Sequence, residues 1–227
     1  MSSPITPPRL DALVFDAYGT LYDVQSVSTL AESLYPGQGT AIAQLWRTKQ
    51  LEYTWLKSLM GRYENFNIVT EAGLRYALAA LKLEANEPAV SALLAQYVQL
   101  APFPEVKTTL QALRPRRMAI LSNGAPDTLG ALVVNSGLQP YLDAVISVDP
   151  LRIFKPAPQV YQLAVDTLNV PKERIGFVSS NCWDAIAAKA FGFTVFWINR
   201  NGAPVDLHGP APDFVIGNLA QLQELIA

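Results

Sequence analysis

A carboxylate closes the first apolar run of the sequence. Asp16 follows residues 12–15 and precedes a short turn that contains Gly19. Open parallel sheets bind their ligands at the carboxyl ends of the strands, so an aspartate in this position is well placed to react with a bound molecule. Aspartate before glycine is also common in ordinary turns. On its own, this segment leaves two interpretations open, a reactive carboxylate and a turn residue.

Polar residues also follow the later apolar runs. Ser122 and Asn123 precede a helix that Pro126 opens, where a hydroxyl and backbone N–H groups could receive an anion, although simple helix capping is the commoner explanation. Lys155 follows the third run, and an isolated lysine is usually a solvated surface charge. A polar cluster at residues 179–184 follows the fourth run. No single one of these is specific, but their order places all of them at one edge of one sheet.

Six short apolar runs predict the strands that position these groups. They are apolar throughout rather than alternating, which is typical of strands buried on both faces of a parallel sheet. The runs are residues 12–15, 118–121, 144–148, 175–178, 194–198 and 214–216. Helical patterns at 127–135, 158–168 and 184–191 separate the later runs. This alternation predicts crossover units and a three-layer α/β domain.

About 100 residues separate the first run from the second, and they contain only helical patterns. These patterns span residues 39–61, 71–83 and 87–100. In the longest, five apolar residues are predicted to share a buried stripe: Leu45, Leu51, Trp55, Leu59 and Met60. Pro102 and Pro104 mark a return to the core. The segment is either a helical extension of the core or an inserted lobe that covers the strand ends.

Composition excludes several classes of protein. The chain has 227 residues, a formal net charge of −2, one cysteine and one histidine. A Cys/His zinc cluster and an internal disulfide are therefore excluded, and any histidine base must be His208. The charge gives no positive excess for nucleic acid or an anionic membrane. No apolar stretch has the length of a signal peptide or a membrane span, so we expect a cytoplasmic protein.

The ordered loop motifs resemble the four motifs of the haloacid dehalogenase superfamily, and the resemblance extends over essentially the whole chain. It implies a Rossmann-like parallel sheet core with an inserted helical cap. The expected core comprises residues 1–22 and 101–227, and the expected cap is residues 23–100. Most members of the superfamily are phosphatases with an Asp-x-Asp nucleophile motif and an acidic pair after the fourth strand that helps to hold Mg²⁺.

Two departures from the phosphatase pattern bear on function. Ala17 and Tyr18 follow Asp16, so the second carboxylate, the acid for the leaving group, is missing. The acidic pair is also missing, because only Asp184 remains in that region. Mg²⁺ prefers carboxylates and water, and Lys155 would compete with it as a fixed positive charge. We therefore expect no metal and no cofactor.

A carboxylate nucleophile with neither metal nor acid suits a leaving group that is already a stable anion, such as a halide. Five runs resemble the signatures of the L-2-haloacid dehalogenases: residues 15–21, 46–53, 121–124, 154–156 and 178–184. This resemblance implies hydrolysis of short L-2-haloacids to D-2-hydroxyacids with inversion, through an ester on Asp16. The implied partners are a small 2-haloalkanoic acid and water, and the implied assembly is a homodimer.

The resemblance also implies roles for individual residues. Asp16, ionised at neutral pH without help from a histidine, is the nucleophile, and Thr20 orients it. The expected halide site is Arg47, Asn123 and Trp183. The expected carboxylate site is Ser122, Lys155 and the backbone N–H groups of Ala17 and Tyr18. Asp184 is the expected base or water-orienting group, supported by Ser179 and Asn181.

Further residues complete the expected site. Leu51, Phe66 and Tyr161 belong to the expected pocket. Tyr18 and Trp183 form further parts of its wall. Thr48 follows Arg47 where the family often has glutamine, and this shorter side chain could alter the pocket. Two other functions stay open at this point. One is a Mg²⁺-dependent phosphatase of the same fold, and the other is a catalytically silent protein that binds small carboxylates or a protein partner.

Overall fold

The computed structural model describes residues 9–226, and its core is a six-stranded sheet in which every neighbouring pair is parallel. The strands are β1 (Ala12–Phe15), β2 (Arg117–Ser122), β3 (Ala144–Ser147), β4 (Ile175–Ser179), β5 (Thr194–Ile198) and β6 (Phe214–Ile216). Their order in the sheet is β3-β2-β1-β4-β5-β6. The expected α/β fold is confirmed.

Nine helices belong to the described part of the chain. They are α1 (Gln25–Leu34), α2 (Gly39–Leu59), α3 (Phe66–Ala80), α4 (Glu87–Ala95), α5 (Val106–Ala112), α6 (Pro126–Asn135), α7 (Pro158–Leu168), α8 (Cys182–Phe191) and α9 (Leu222–Leu225). Helices α7 and α8 pack together and contact β2 to β5. None of the helices within residues 9–226 is both long and apolar enough to cross a bilayer.

The central strand β1 sets the position of the site. Phe15 is in register with Ile120 of β2 on one side and with Val178 of β4 on the other. All four residues of β1 are fully buried, as expected for a strand with neighbours on both edges and both faces. The residue after β1 and the residues that end β2 and β4 consequently emerge side by side at the carboxyl edge of the sheet.

Helices α1 to α4, which we call the helical segment, all fall between β1 and β2. The Glu32 carboxylate ties the end of α1 to the start of α2 by accepting from the backbone N–H groups of Gly37 (2.6 Å) and Gly39 (2.8 Å). Asn65 and Asn86 cap α3 and α4 with their side-chain oxygens. The helical segment lies within the predicted cap, while the division of the chain into two domains stays a prediction.

The predicted apolar stripe on α2 was wrong. The side of this helix that is buried carries Ile42, Trp46, Gln50 and Thr54 at four-residue intervals. Leu59, the last residue of the helix, is 85% exposed, and Met60, which follows it, is 59% exposed. The prediction assumed that only apolar residues would be buried. The buried face instead includes Gln50 and Thr54, whose polar groups form hydrogen bonds inside the protein.

Helix α3 packs closely on this buried face at Gly73. A side-chain Cβ at residue 73 would lie 3.1 Å from the backbone nitrogen of Gln50 and 3.3 Å from the Trp46 ring. The indole Nε1–H of Trp46 donates to the backbone oxygen of Thr70 in α3 at 2.7 Å. The small residue and this bond fix the position of α2 and hence of its polar side chains.

Several helix boundaries differ from the sequence-based expectation. Helices α1, α5 and α9 were not predicted, and α1 is rich in Ser and Thr, which are weak helix formers. Helix α3 begins at Phe66 rather than at residue 71, since Asn65 caps it there. Helix α4 ends at Ala95 and a 3₁₀ turn, Gln96–Val98, continues it.

Candidate active site

The predicted polar residues meet at the carboxyl edge of the sheet. Asp16 follows β1, Ser122 ends β2, and Lys155 lies in the loop between β3 and α7. The cluster at residues 179–184 spans the end of β4 and the start of α8. The strand order brings these loops together, because β1 lies between β2 and β4.

Three side chains donate hydrogen bonds to the Asp16 carboxylate. Oδ1 accepts from Lys155 Nζ at 3.1 Å, and Oδ2 accepts from Asn181 Nδ2 at 2.9 Å and from the Thr20 hydroxyl at 3.1 Å. Thr20 is itself held by the backbone N–H of Ser180. Gly19 permits this turn, since its φ is +84° and a Cβ there would meet the Ser180 hydroxyl at 3.0 Å. The carboxylate is thus fixed in one orientation.

Lys155 is buried between two carboxylates. Its side chain is 1% exposed, and Nζ lies 3.1 Å from Asp16 Oδ1 and 2.9 Å from Asp184 Oδ2. The other oxygen of Asp184 accepts from the Tyr161 hydroxyl at 2.7 Å. Asn123 Oδ1 accepts from the backbone N–H of Lys155 at 2.9 Å, which anchors the lysine loop to the end of β2.

Burial and charge shift the pKa values of this cluster. Burial raises the pKa of Asp184 above its usual value, and Lys155 offsets only part of that effect. Burial alone would lower the pKa of Lys155, but the charges of Asp16 and Asp184 outweigh it, so the pKa is raised. Burial and Asp184 together raise the pKa of Tyr161 well above its usual value, so this tyrosine stays protonated and donates.

The residues of this site do not fit a magnesium ion. Mg²⁺ demands near-octahedral oxygen ligands at roughly 2.0–2.1 Å. Here the Lys155 ammonium occupies the place between the Asp16 and Asp184 carboxylates that such a cation would take. Within residues 9–226, no group of three or more His, Cys, Asp or Glu side chains is arranged to hold a metal ion.

Arg47 reaches the site from α2 and contacts two amide oxygens. Its Nη1 donates to Gln50 Oε1 at 2.8 Å, and its Nη2 donates to Asn181 Oδ1 at 3.3 Å. The Asn181 amide therefore joins the arginine on the helical segment to the Asp16 carboxylate on the core. An arginine that is half-buried beside a cavity can stabilise an anion there.

A small cavity of about 20 Å³ lies between these groups, which is room for about one water molecule. Every residue that lines it was named from the sequence: Asp16, Tyr18, Arg47, Leu51, Phe66, Ser122, Asn123, Lys155, Asn181 and Trp183. Five other predicted residues lie outside the lining: Ala17, Thr20, Tyr161, Ser179 and Asp184. Of these, Thr20 and Asp184 contact Asp16 or Lys155 directly, and the Ser179 hydroxyl accepts from the backbone N–H of Asn181.

Two expectations need correction in this geometry. Tyr161 is fully buried behind Asp184 and is not a wall of the cavity. Thr48 is exposed, with its hydroxyl on the backbone oxygen of Gln44, so it does not shape the pocket beside Arg47. His208, to which no role was assigned, is exposed in a loop and does not line the cavity, in agreement with the expectation.

Unused donors surround the cavity where a substrate carboxylate was expected. The backbone N–H groups of Ala17 and Tyr18 make no hydrogen bond with any residue between 9 and 226. The Ser122 hydroxyl accepts from the backbone N–H of Gly124 at 3.1 Å and keeps its proton to donate. The buried Tyr18 hydroxyl lacks a partner within the same residues, and a buried polar group without a partner is costly.

Two side chains near the site were not identified from the sequence. Gln50 is fully buried beside Arg47, and two signals were available: its spacing of three residues from that arginine on a helix, and its place in the run 46–53 that resembles a family signature. Trp55 packs edge-on against Trp183, with ring centroids 5.5 Å apart. From the sequence, Trp55 was expected only in the apolar stripe of α2.

A family model described as haloacid dehalogenase-like hydrolase matches residues 10–192. The chain belongs to this family. Its relatives include a haloacetate dehalogenase of a Moraxella species, 46% identical over 96% of this chain and 99% of the relative. An (S)-2-haloacid dehalogenase of Pseudomonas putida is 46% identical over 95% and 97% of the two chains. These similarities confirm the expected assignment to the L-2-haloacid dehalogenases, which are hydrolases of carbon–halide bonds.

Solved structures agree with this family assignment. An L-2-haloacid dehalogenase of Xanthobacter autotrophicus with covalently bound chloropropionic acid is 44% identical to this chain. It superimposes with a TM-score of 0.89, and the match covers 95% of this chain and 98% of the other. In that relative the acid is covalently bound.

Proposed function

We propose that this protein hydrolyses short L-2-haloacids to D-2-hydroxyacids through an ester on Asp16, without a metal ion. The observation that carries the proposal is the position of Lys155 Nζ between the Asp16 and Asp184 carboxylates. The fixed Lys155 ammonium supplies there the positive charge that a metal ion would otherwise provide. Ala17 and Tyr18 follow the nucleophile in place of a second aspartate. The similarity to (S)-2-haloacid dehalogenases supports the same chemistry.

In the first step, the Asp16 carboxylate attacks C2 of the substrate on the side opposite the halogen. A C–O bond forms as the C–halogen bond breaks, and the halide leaves with the bonding electron pair. This displacement inverts C2. Arg47 receives the halide, assisted by Asn123 and Trp183, and the anion needs no proton from an acid. Asn123 Oδ1 is committed to the backbone of Lys155, which leaves the donor end of its amide for the halide.

The substrate carboxylate binds at the unused donors beside Asp16. These are the backbone N–H groups of Ala17 and Tyr18 and the hydroxyl of Ser122. Lys155 offsets the repulsion between this carboxylate and the nucleophile, which is strong at short range in a buried site. Holding the two reacting groups in line is worth roughly 7–11 kcal/mol of the barrier in favourable cases.

In the second step, water attacks the carbonyl carbon of the Asp16 ester, which regenerates the carboxylate and releases the hydroxyacid. We assign Asp184 as the group that takes the proton of the water, with Asn181 and Ser179 holding the loop. Burial raises the pKa of Asp184, which makes its carboxylate a better proton acceptor than an exposed aspartate. Each of its oxygens keeps a lone pair beyond the bonds to Lys155 and Tyr161.

The decisive assay is halide release from L- and D-2-chloropropionate, each with and without a chelator. We expect release from the L form only, unchanged by chelation. Chloroacetate, which has no stereocentre, serves as a third substrate because one relative is a haloacetate dehalogenase. Release that stops in the chelator would contradict metal independence, and release from the D form would contradict the proposed selectivity for the L substrate.

The same assay separates the other candidate functions. Mg²⁺-dependent release of phosphate from a phosphomonoester, without halide release, would favour a phosphatase. Binding of 2-chloropropionate without turnover would favour a silent carboxylate-binding protein. The homodimer and the cytoplasmic location stay predictions, and sedimentation and cell fractionation would test them.

A further inference from the structure

Gln50 is a buried amide next to the arginine of the site. Its side chain is fully buried on α2, and its Oε1 accepts from Arg47 Nη1 at 2.8 Å. We infer that Gln50 is a positioning residue, which holds Arg47 by a neutral acceptor so that the arginine charge stays available for the departing halide. The inference rests on the proposed function and names a residue that the expected catalytic set does not contain.

The orientation of the Gln50 amide is set from its other end. Nε2 donates to the Thr70 hydroxyl of α3 at 2.7 Å and lies 3.5 Å from the Tyr97 hydroxyl. Because Nε2 is thereby engaged, Oε1 is the end that faces the guanidinium. Gly73 lets α3 approach the Gln50 backbone closely, which keeps the Thr70 hydroxyl within hydrogen-bond distance of Nε2.

The side-chain acceptors of Arg47 are neutral, unlike those of three other arginines of the protein. Arg75, Arg174 and Arg200 each form a salt bridge with a carboxylate. Arg47 forms none with any residue from 9 to 226, and both of its side-chain acceptors, Gln50 and Asn181, are neutral amides. A carboxylate acceptor would already neutralise the guanidinium and would repel an incoming halide. A neutral amide fixes the geometry and leaves the charge uncompensated.

Gln50→Glu tests this directly, because the substitution keeps the shape and the acceptor but adds a negative charge opposite Arg47. The matched control is Gln44→Glu, the same change on the exposed side of the same helix. We expect Gln50→Glu to lower kcat for 2-chloropropionate at least 100-fold and to weaken bromide binding at least 10-fold, while Gln44→Glu leaves both unchanged. Bromide binding is measured by excess line broadening of the bromide NMR signal, which requires no turnover.

A second variant covers the case in which Gln50→Glu does not fold. Gln50→Met keeps the volume and removes the acceptor, so we expect kcat to fall at least 10-fold with KM for the haloacid changed less than threefold. A folded Gln50→Glu protein that binds bromide like the wild type, or a Gln50→Met protein with wild-type kcat, would overturn the inference. A wild type that binds bromide but releases no halide would contradict the proposed function instead.

Discussion

Arg47 and Asn181 are joined by a hydrogen bond of 3.3 Å that connects helix α2 to the loop after β4. The same Asn181 amide donates to Asp16 Oδ2 at 2.9 Å. One side chain thus aligns the group proposed to receive the halide with the group proposed to attack. The Asn181 amide can bind both residues, because its oxygen accepts from the Arg47 guanidinium and its nitrogen donates to the Asp16 carboxylate.

Replacing Arg47 with lysine is expected to cost most of the activity although the charge is kept. A lysine ammonium lacks the planar fork that reaches Gln50 and Asn181 at once. Loss of one preorganised group that stabilises developing charge costs about 10²–10³ in kcat. Chloride release from L-2-chloropropionate measures the effect. Arg62→Lys, at an exposed position of the chain, is the control, and an Arg47→Lys variant as active as that control would exclude the proposed role.

Lys155→Met is expected to destabilise the fold as well as to abolish activity. The substitution leaves Asp16 and Asp184 buried without the cation that lies between them. Breaking a buried ion pair by removing one partner costs roughly 3–5 kcal/mol. Urea denaturation at neutral pH measures the free energy of unfolding. Lys189→Met, which breaks the partly exposed pair with Asp213, should cost no more than about 1 kcal/mol. Equal losses for the two variants would contradict the structural account of Lys155.

The pH profile of kcat should follow the raised pKa values of Asp184 and Lys155. The proposed role of Asp184 requires its ionised form, so activity should fall as the pH drops through its pKa, and burial moves this acid limb upwards. The proposed role of Lys155 requires its charged form, and its raised pKa moves the alkaline limb upwards as well. Activity should therefore persist into alkaline solution. An acid limb at the ordinary aspartate value of about 3.9 would contradict this assignment.

Leu51→Ala should shift the substrate preference towards longer chains. Leu51 lines a cavity of only about 20 Å³, so shortening this side chain makes room for one more carbon. A methylene in a nonpolar pocket is worth about 1–3 kcal/mol, or about 10–200-fold in kcat/KM. The measured quantity is the ratio of kcat/KM for 2-chlorobutanoate to that for 2-chloropropionate. Leu56→Ala, on the same helix but 42% exposed, should leave the ratio unchanged. An unchanged ratio in Leu51→Ala would remove this residue from the pocket wall.

The core of the site could be predicted because strand ends are visible in the sequence. Asp16, Ser122 and Asn181 each follow or end a short apolar run, and the parallel order of the strands brings them together. Arg47 and Phe66 carry no such signal, because each lies on a helix far along the chain from the strand ends. The resemblance of residues 46–53 to a family signature identified Arg47, whereas Phe66, an expected pocket residue, lies in none of the five matching runs.

The helical segment was less predictable for a physical reason. Gln50 and Gln44 are the same residue type on one helix, yet the first is buried and the second is exposed. The difference arises from the packing of α3 at Gly73, which no local pattern encodes. The burial of Thr54 was not predicted either. Its hydroxyl donates to the backbone oxygen of Leu51 within the helix, so this polar side chain can be buried without another partner. Polar residues that satisfy one another inside the protein do not form an apolar stripe.

The central claim is that Asp16 forms an ester with the substrate, and a single turnover in heavy-oxygen water tests it most directly. Enzyme in excess over L-2-chloropropionate is allowed to react once, and the peptide that contains Asp16 and the released lactate are analysed by mass spectrometry. Attack by water on the ester carbonyl predicts heavy oxygen in the Asp16 carboxylate and none in the lactate. Heavy oxygen in the lactate with an unlabelled Asp16 would show that water attacks C2 directly and would contradict the account.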